Sequence, residues 1–88
     1  MYKYQIIGKE IIDILKQRKK SGEKTTILTA REVEELLDVS RRCGAKPYSR
    51  YPLICQAMEY ASGKYPGKWI DGNNPGATFT VEYKLSIF

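Results

Sequence analysis

Residues 48–84, YSRYPLICQAMEYASGKYPGKWIDGNNPGATFTVEYK, decide the fold that we predict for this chain of 88 residues. Their first half predicts a short helix, because Ser49 can cap its N-terminus and Pro52 falls in the first turn, where a backbone amide has no intrahelical partner. Gly63 is a residue at which this helix can end. One face of the helix is apolar and carries Ile54, Ala57, Met58 and Ala61.

The second half of the same stretch predicts a β-hairpin. Residues 68–71 form its first strand and residues 77–85 form its second. Apolar and polar side chains alternate along the second strand, which is typical of a sheet with one buried face. The apolar positions are Phe79, Val81, Tyr83 and Leu85. Between the strands, residues 72–76 read GNNPG, and all five favour a turn.

A longer helix and a short strand precede this stretch. From Tyr4 to about Ser21 the apolar residues recur at steps of three and four, which makes one stripe on a helix. Gly22 stands where a C-terminal cap is expected. Residues 25–28, TTIL, are β-branched or apolar and predict a brief strand.

A second helix is predicted from Thr29 to about Val39 or Ser40. Thr29 and Glu32 match a capping box, in which the threonine hydroxyl accepts a hydrogen bond from the amide three residues later. Its buried stripe is predicted to be Val33, Leu36 and Leu37. Its acidic residues are predicted to be exposed, namely Glu32, Glu34, Glu35 and Asp38. The link that follows, residues 40–46, has room for a single helical turn, and Gly44 can take a positive φ.

Composition places the chain among small globular proteins with a basic surface. Apolar residues make up 42% and charged residues 28%, so we expect one folded domain over residues 1–88. The net charge of +5 suits nucleic acid, anionic lipid or an acidic protein, although solubility alone also accounts for it.

Several other functions find no support in the sequence. There is no histidine, and Cys43 and Cys55 alone cannot complete a four-ligand zinc site, although a disulfide between them stays open. No nucleophile has a visible base beside it, so we expect no enzymatic activity, no metal and no cofactor. No segment approaches the roughly 20 apolar residues that span a bilayer. We therefore expect a cytoplasmic protein with reduced thiols and no membrane partner.

The charge is segregated along the chain. Residues 23–38 hold five acids and two bases, whereas the stretch between the second helix and the first hairpin strand is strongly basic. In that stretch only Glu59 opposes six positive residues, which are Arg41, Arg42, Lys46, Arg50, Lys64 and Lys68. This excess predicts one basic face that binds phosphate.

The order helix, strand, helix, helix, strand, strand resembles the winged helix-turn-helix superfamily over nearly the whole chain. The resemblance implies an α+β fold in which the short strand pairs with the hairpin, or wing. It also implies that the third helix enters the major groove of DNA and that the hairpin tip lies on the backbone or in the minor groove. Carried over, it puts Ser49, Arg50, Tyr51 and Gln56 near base edges, and Asn73 and Asn74 at the tip.

Packing or turn geometry can also explain several residues of this stretch. Tyr48 and Tyr51 can contact DNA or cover the edge of the core, as amphipathic tyrosines often do. Turn geometry alone explains Asn73 and Asn74. We expect Trp69 to pack the hairpin onto the third helix rather than to stack on a base.

The sequence therefore predicts a small DNA-binding protein, a transcriptional regulator or a DNA-associated accessory protein. Its partner is duplex DNA, and a homodimer stays open. The alternative is a winged-helix module that binds protein and not DNA. The acidic second helix, Glu59 on the predicted reading face, and the apolar tail of residues 85–88, LSIF, motivate this alternative.

Overall fold

The structure, a computed structural model, describes residues 3–46 and 49–86. Within them four helices and three strands follow one another in an α+β arrangement, which confirms the predicted class. The helices are α1 (Lys3–Lys20), α2 (Ala30–Leu37), α3 (Val39–Arg42) and α4 (Tyr51–Ala61). The strands are β1 (Thr25–Thr29), β2 (Gly67–Asp71) and β3 (Thr80–Lys84).

The three strands form one antiparallel sheet in the order β1-β3-β2. Leu28 of β1 and Trp69 of β2 both lie opposite Val81 of the central strand β3. The predicted pairing of the short strand with the hairpin is therefore confirmed. The predicted alternation is confirmed as well, since Phe79, Val81, Tyr83 and Leu85 are all buried.

The last strand is shorter than predicted, because residues 77–79 form a turn and hydrogen-bond the start of α2. Ala77 and Thr78 form a turn, and β3 begins only at Thr80. The carbonyl of Phe79 accepts a hydrogen bond from the Ala30 amide, and that of Ala77 accepts one from the Arg31 amide. First-turn amides of a helix need partners outside the helix, so this segment completes the N-terminus of α2.

The core lies between the sheet and the helices α1 and α4. The predicted apolar face of α4 is buried as expected, and Ile7, Ile11 and Leu15 of α1 pack into the same cluster. Gly8 lies where α1 meets α4, since a Cβ there would come within 3.1 Å of the Ala57 carbonyl oxygen. The sheet is tied to α4 by Tyr83, whose hydroxyl donates to the Met58 carbonyl at 2.7 Å. Burial raises the pKa of this phenol, so it stays a donor across the neutral range.

The predicted second helix differs from the observed one in three respects. It ends at Leu37 rather than at Val39 or Ser40, because Asp38 adopts a left-handed conformation with φ of 52°. The chain then forms the separate turn α3, which confirms the single helical turn expected in the link. Leu36 is 55% exposed, whereas Glu34 is only 4% exposed, so the predicted burial of these two residues is wrong. The buried stripe begins at Ala30, three residues before Val33, and the helical spacing of three and four residues from Ala30 then includes Glu34.

Two further predictions are wrong, one about the third helix, which is α4, and one about the hairpin. Ser49 is not the N-cap of α4: Arg50 holds that position without a side-chain cap, and the Ser49 hydroxyl donates instead to the Lys46 carbonyl. Trp69 is 56% exposed and packs edge-on against Phe79, with ring centroids 5.7 Å apart. Its Nε1 donates to the carbonyls of Asp71 and Gly72, so the indole supports the turn of its own hairpin.

Gly72 allows the hairpin loop to close, and Gly72→Ala tests this. The residue has φ of +79°, and a Cβ there would lie 1.7 Å from the Thr78 carbonyl oxygen. We expect a loss of about 3 kcal/mol in the free energy of unfolding, since left-handed strain and overpacking add. Gly44→Ala is the matched control, because Gly44 has φ of +70° and open space around it. It should cost about 1 kcal/mol in urea denaturation; equal losses would show that the loop relaxes freely.

Candidate nucleic-acid interface

The N-terminus of α4 is positioned by a buried hydroxyl that lies outside α4. Ser40 of α3 is fully buried, and its hydroxyl donates to the Glu34 carboxylate at 3.0 Å. The same oxygen accepts hydrogen bonds from the backbone amides of Ser49 at 3.2 Å and Arg50 at 3.1 Å. A serine hydroxyl has one donor and two acceptor positions, so all of them are used.

Glu34 completes this network from α2. Its carboxylate also accepts the Ser40 backbone amide, with the shorter contact at 3.1 Å. The network therefore links α2, α3 and the residues that lead into α4. Sequence reasoning missed both Glu34 and Ser40. The burial of Glu34 had a signal in the sequence, because a residue four positions after Ala30 lies on the same face of the helix.

The predicted residues just before α4 are presented to solvent. Lys46, Ser49 and Arg50 are exposed, and Tyr51 is partly buried against the core. Tyr48 lies outside the described residues. The structure thus brings Lys46, Ser49 and Arg50 to one end of α4.

The two arginines of α3 are close to acids. Arg42 forms an ion pair with Glu10 of α1 at 2.8 Å and donates to the Leu37 carbonyl at 3.3 Å. Arg41 lies 3.7 Å from the Asp38 carboxylate. Exposed pairs of this kind are weak, so both guanidinium groups can still approach phosphate. Arg42 nevertheless lies against α1 and not on the exposed face of α4.

The exposed face of α4 meets the hairpin loop. Gln56 is exposed on this face, one turn from Glu59. The Asn74 amide donates to the Glu59 carboxylate at 2.7 Å, so the loop lies beside α4. Asn73 is exposed, and its backbone amide donates a hydrogen bond to the Thr78 hydroxyl at 3.4 Å. Asn74 therefore occupies one acceptor oxygen of Glu59, while the negative charge of Glu59 stays on the predicted reading face.

Lys64 and Lys68 are not brought together with Arg50. Lys64 follows the C-terminus of α4, whereas Arg50 precedes its N-terminus, and a helix of 11 residues is about 16 Å long. Lys68 lies on β2 opposite Glu82. The six basic residues that the sequence grouped as one face therefore do not form one surface.

The cysteines do not form a reactive centre in the described part of the chain. Both thiols are free, and Cys55 is buried. Burial, and then the nearby charge of Glu59, raises the pKa of the Cys55 thiol, so it stays protonated near neutral pH. Across residues 3–46 and 49–86 no three cysteine or acidic side chains cluster as metal ligands would. Over the same ranges no helix is long and apolar enough to cross a membrane.

Comparison with known protein families, with curated proteins and with solved structures found no match for this chain.

Removing the Ser40 hydroxyl tests its role at the interface. Ser40→Ala leaves the buried Glu34 carboxylate with one donor fewer and two backbone amides without their acceptor. We expect a loss of about 3 kcal/mol in the free energy of unfolding, because each buried group left unsatisfied costs about 1–3 kcal/mol. Ser21→Ala is the control, since that hydroxyl bonds a carbonyl on the exposed surface. Urea denaturation that gives both variants the same midpoint would contradict the role assigned to Ser40.

Proposed function

We propose that this chain is a winged-helix domain that binds duplex DNA through α4 and the hairpin, as a transcriptional regulator or DNA-associated accessory protein. The sheet order supports this proposal most directly. A short strand after the first helix pairs with the second strand of a C-terminal hairpin, and α4 immediately precedes that hairpin. This is the arrangement in which winged-helix proteins present a helix and a wing to DNA.

The exposed side chains of α4 suit limited base reading. Gln56 can make two hydrogen bonds to adenine, and Arg50 can make two to guanine. Arg50 follows backbone that is fixed through Ser40, so less conformational freedom is lost when it binds. Lys46 and Ser49 supply phosphate contacts at the same end of α4.

The proposal extends to the compartment in which the protein acts. Cys43 and Cys55 are both free thiols. Free thiols suit a reducing compartment, and we propose that the protein is cytoplasmic.

Binding to a protein partner is a second candidate function, and the surface of α2 favours it. Leu36 is 55% exposed between the acidic residues Glu35 and Asp38. An exposed leucine on an acidic helix suits a basic, partly apolar protein surface. The predicted apolar tail contributes less, because Leu85 is buried in the core of its own chain and residues 87 and 88 lie outside the described residues.

Titration of a random-sequence duplex by fluorescence anisotropy, at two salt concentrations, tests DNA binding. We expect the wild-type chain to bind at low salt and to lose affinity as salt rises, because phosphate contacts release counterions. Arg50→Ala should weaken binding by about 1–3 kcal/mol, or roughly 5- to 100-fold. Lys9→Ala removes one exposed positive charge from α1 and is the matched control. It should change affinity by less than about twofold.

Two results would separate the candidate functions. Equal losses of duplex affinity from Arg50→Ala and Lys9→Ala would show that the N-terminus of α4 is not part of the interface. An absence of duplex binding at low salt would refute the DNA proposal. Co-purification of one partner that Leu36→Asp abolishes would then support protein recognition.

A further inference from the structure

Six exposed lysines gather at the end of the molecule where α1 ends, β1 begins and β3 ends. We name this surface the lysine pole, and its members are Lys19, Lys20, Lys24, Lys64, Lys68 and Lys84. It lies beyond the C-terminus of α4, whereas Arg50 precedes the N-terminus of that helix. Four of the six were not among the predicted binding residues.

Contacts made by three of these lysines join the segments that carry them. Lys19 Nζ is 5.9 Å from the centre of the ring of Tyr65, the residue after Lys64. The Lys24 carbonyl accepts from the amide of Leu85, the residue after Lys84, at 2.8 Å. The Lys84 amide in turn donates to the carbonyl of Pro66, two residues before Lys68, at 2.8 Å.

The surface of the pole contains two shallow depressions. One has a volume of about 310 Å³ and is flanked by Lys19 and Lys24, with Glu23 between them in sequence. The other, of about 230 Å³, is flanked by Lys68 and Lys84 and contains Glu82. Each depression therefore presents two ammonium groups and one carboxylate.

The pole holds most of the net charge of the chain. Its six lysines and two glutamates give a net charge of +4, and the whole chain has +5, so all other residues together contribute only +1. Lys19 and Lys20 also stabilise the C-terminal end of the α1 dipole. That explanation does not extend to Lys68 and Lys84, which lie on strands.

Strand register places Lys68 and Lys84 on the outer face of the sheet. Val81 and Tyr83 of β3 are buried, and Tyr83 bonds α4, so Glu82 and Lys84 point to the opposite face. Lys68 lies directly across from Glu82 and shares that face. Neither lysine points in the direction of Gln56 on α4.

We propose that the lysine pole is a second contact for the phosphate backbone of duplex DNA, separate from the face formed by α4 and the hairpin loop. This inference rests on the proposed DNA binding. Lysine is a flexible point charge that neutralises phosphate and does not read planar base edges as arginine does. The pole therefore adds affinity without adding sequence preference.

The lining of the two depressions fits a nucleic-acid backbone. Beside the lysines they are lined by Gly22, Glu23, Pro66, Gly67, Glu82 and Ser86. Surfaces that bind membranes place tryptophan, phenylalanine or leucine next to the basic residues. The residues that line the two depressions are small or polar, which fits contact with a charged, hydrated backbone. Exposed apolar side chains lie outside the depressions, at Ile27 opposite Glu82 and at Trp69 and Ile70 after Lys68 on β2, so binding to lipid vesicles is measured beside binding to duplex.

The double variant Lys68→Ala/Lys84→Ala tests the pole. Each phosphate contact contributes about 0.9 to the slope of log K against log salt concentration. We expect the slope to fall by about 1–2 and the affinity for a random duplex at low salt to fall about tenfold. Lys3→Ala/Lys9→Ala removes the same charge from exposed positions near the start of α1. It should leave the slope within about 0.5 of wild type.

The results distinguish failure of this inference from failure of the DNA proposal. If Arg50→Ala weakens binding and the pole variant does not, the pole is refuted and the α4 interface stands. If the two lysine pairs lower the slope equally, the pole has no special role. If the pole variant loses binding to phosphatidylserine vesicles but keeps duplex affinity, the partner is a lipid surface and the inference is overturned. An absence of duplex binding by the wild-type chain refutes both.

The combined variant adds a further check. The fold-losses of affinity from Arg50→Ala and from the pole variant should multiply to within about twofold in the combined variant, because the two sites share no side chain. Strong non-additivity would show that both belong to one interface, which also overturns the proposed separation.

Discussion

The hydrogen bond from the Ser40 hydroxyl to the buried Glu34 carboxylate is the interaction on which the rest of the structure depends. It holds the end of α2 against α3, and the same hydroxyl then receives the amides of Ser49 and Arg50. The backbone just before α4 is therefore held against the Ser40 side chain of α3. Without it, the start of α4 would be set only by the packing of its apolar face.

A polar network in this position requires all of its members. A buried carboxylate is costly unless its oxygens accept hydrogen bonds, and in a low-dielectric site each missing partner costs more than it would in water. The Glu34 carboxylate accepts hydrogen bonds from both the amide and the hydroxyl of Ser40, and the Ser40 hydroxyl has no unused donor or acceptor position. Such a network is directional, whereas apolar packing tolerates small rotations. It therefore fixes the direction in which α4 leaves α3.

Local patterns predicted most of the fold, because they depend on neighbours in sequence. The alternation from Phe79 to Leu85 gave the buried face of the sheet, and the Thr29 hydroxyl caps α2 as expected. The end of α2 was not predictable in this way, since a left-handed aspartate such as Asp38 is uncommon. The burial of Glu34 depends on a serine six residues later, and helix periodicity alone cannot supply that partner.

The candidate site was less predictable, because charges close in sequence are separated by the element between them. Arg50 and Lys64 flank α4, so the helix itself holds them apart. Conversely, the register of β3 brings Lys84 to Lys24 and to Pro66 beside Lys68, although these residues are far apart in sequence. Sequence proximity predicted one basic face from six residues, whereas helix ends and sheet register determine where each of them lies. The hairpin consequently contributes at both ends: its loop contacts α4 through the Asn74–Glu59 hydrogen bond, and its base carries lysines on the outer face of the sheet. In this arrangement the lysines at the base of the hairpin and the exposed side chains of α4 occupy different surfaces, so each set can change without altering the other.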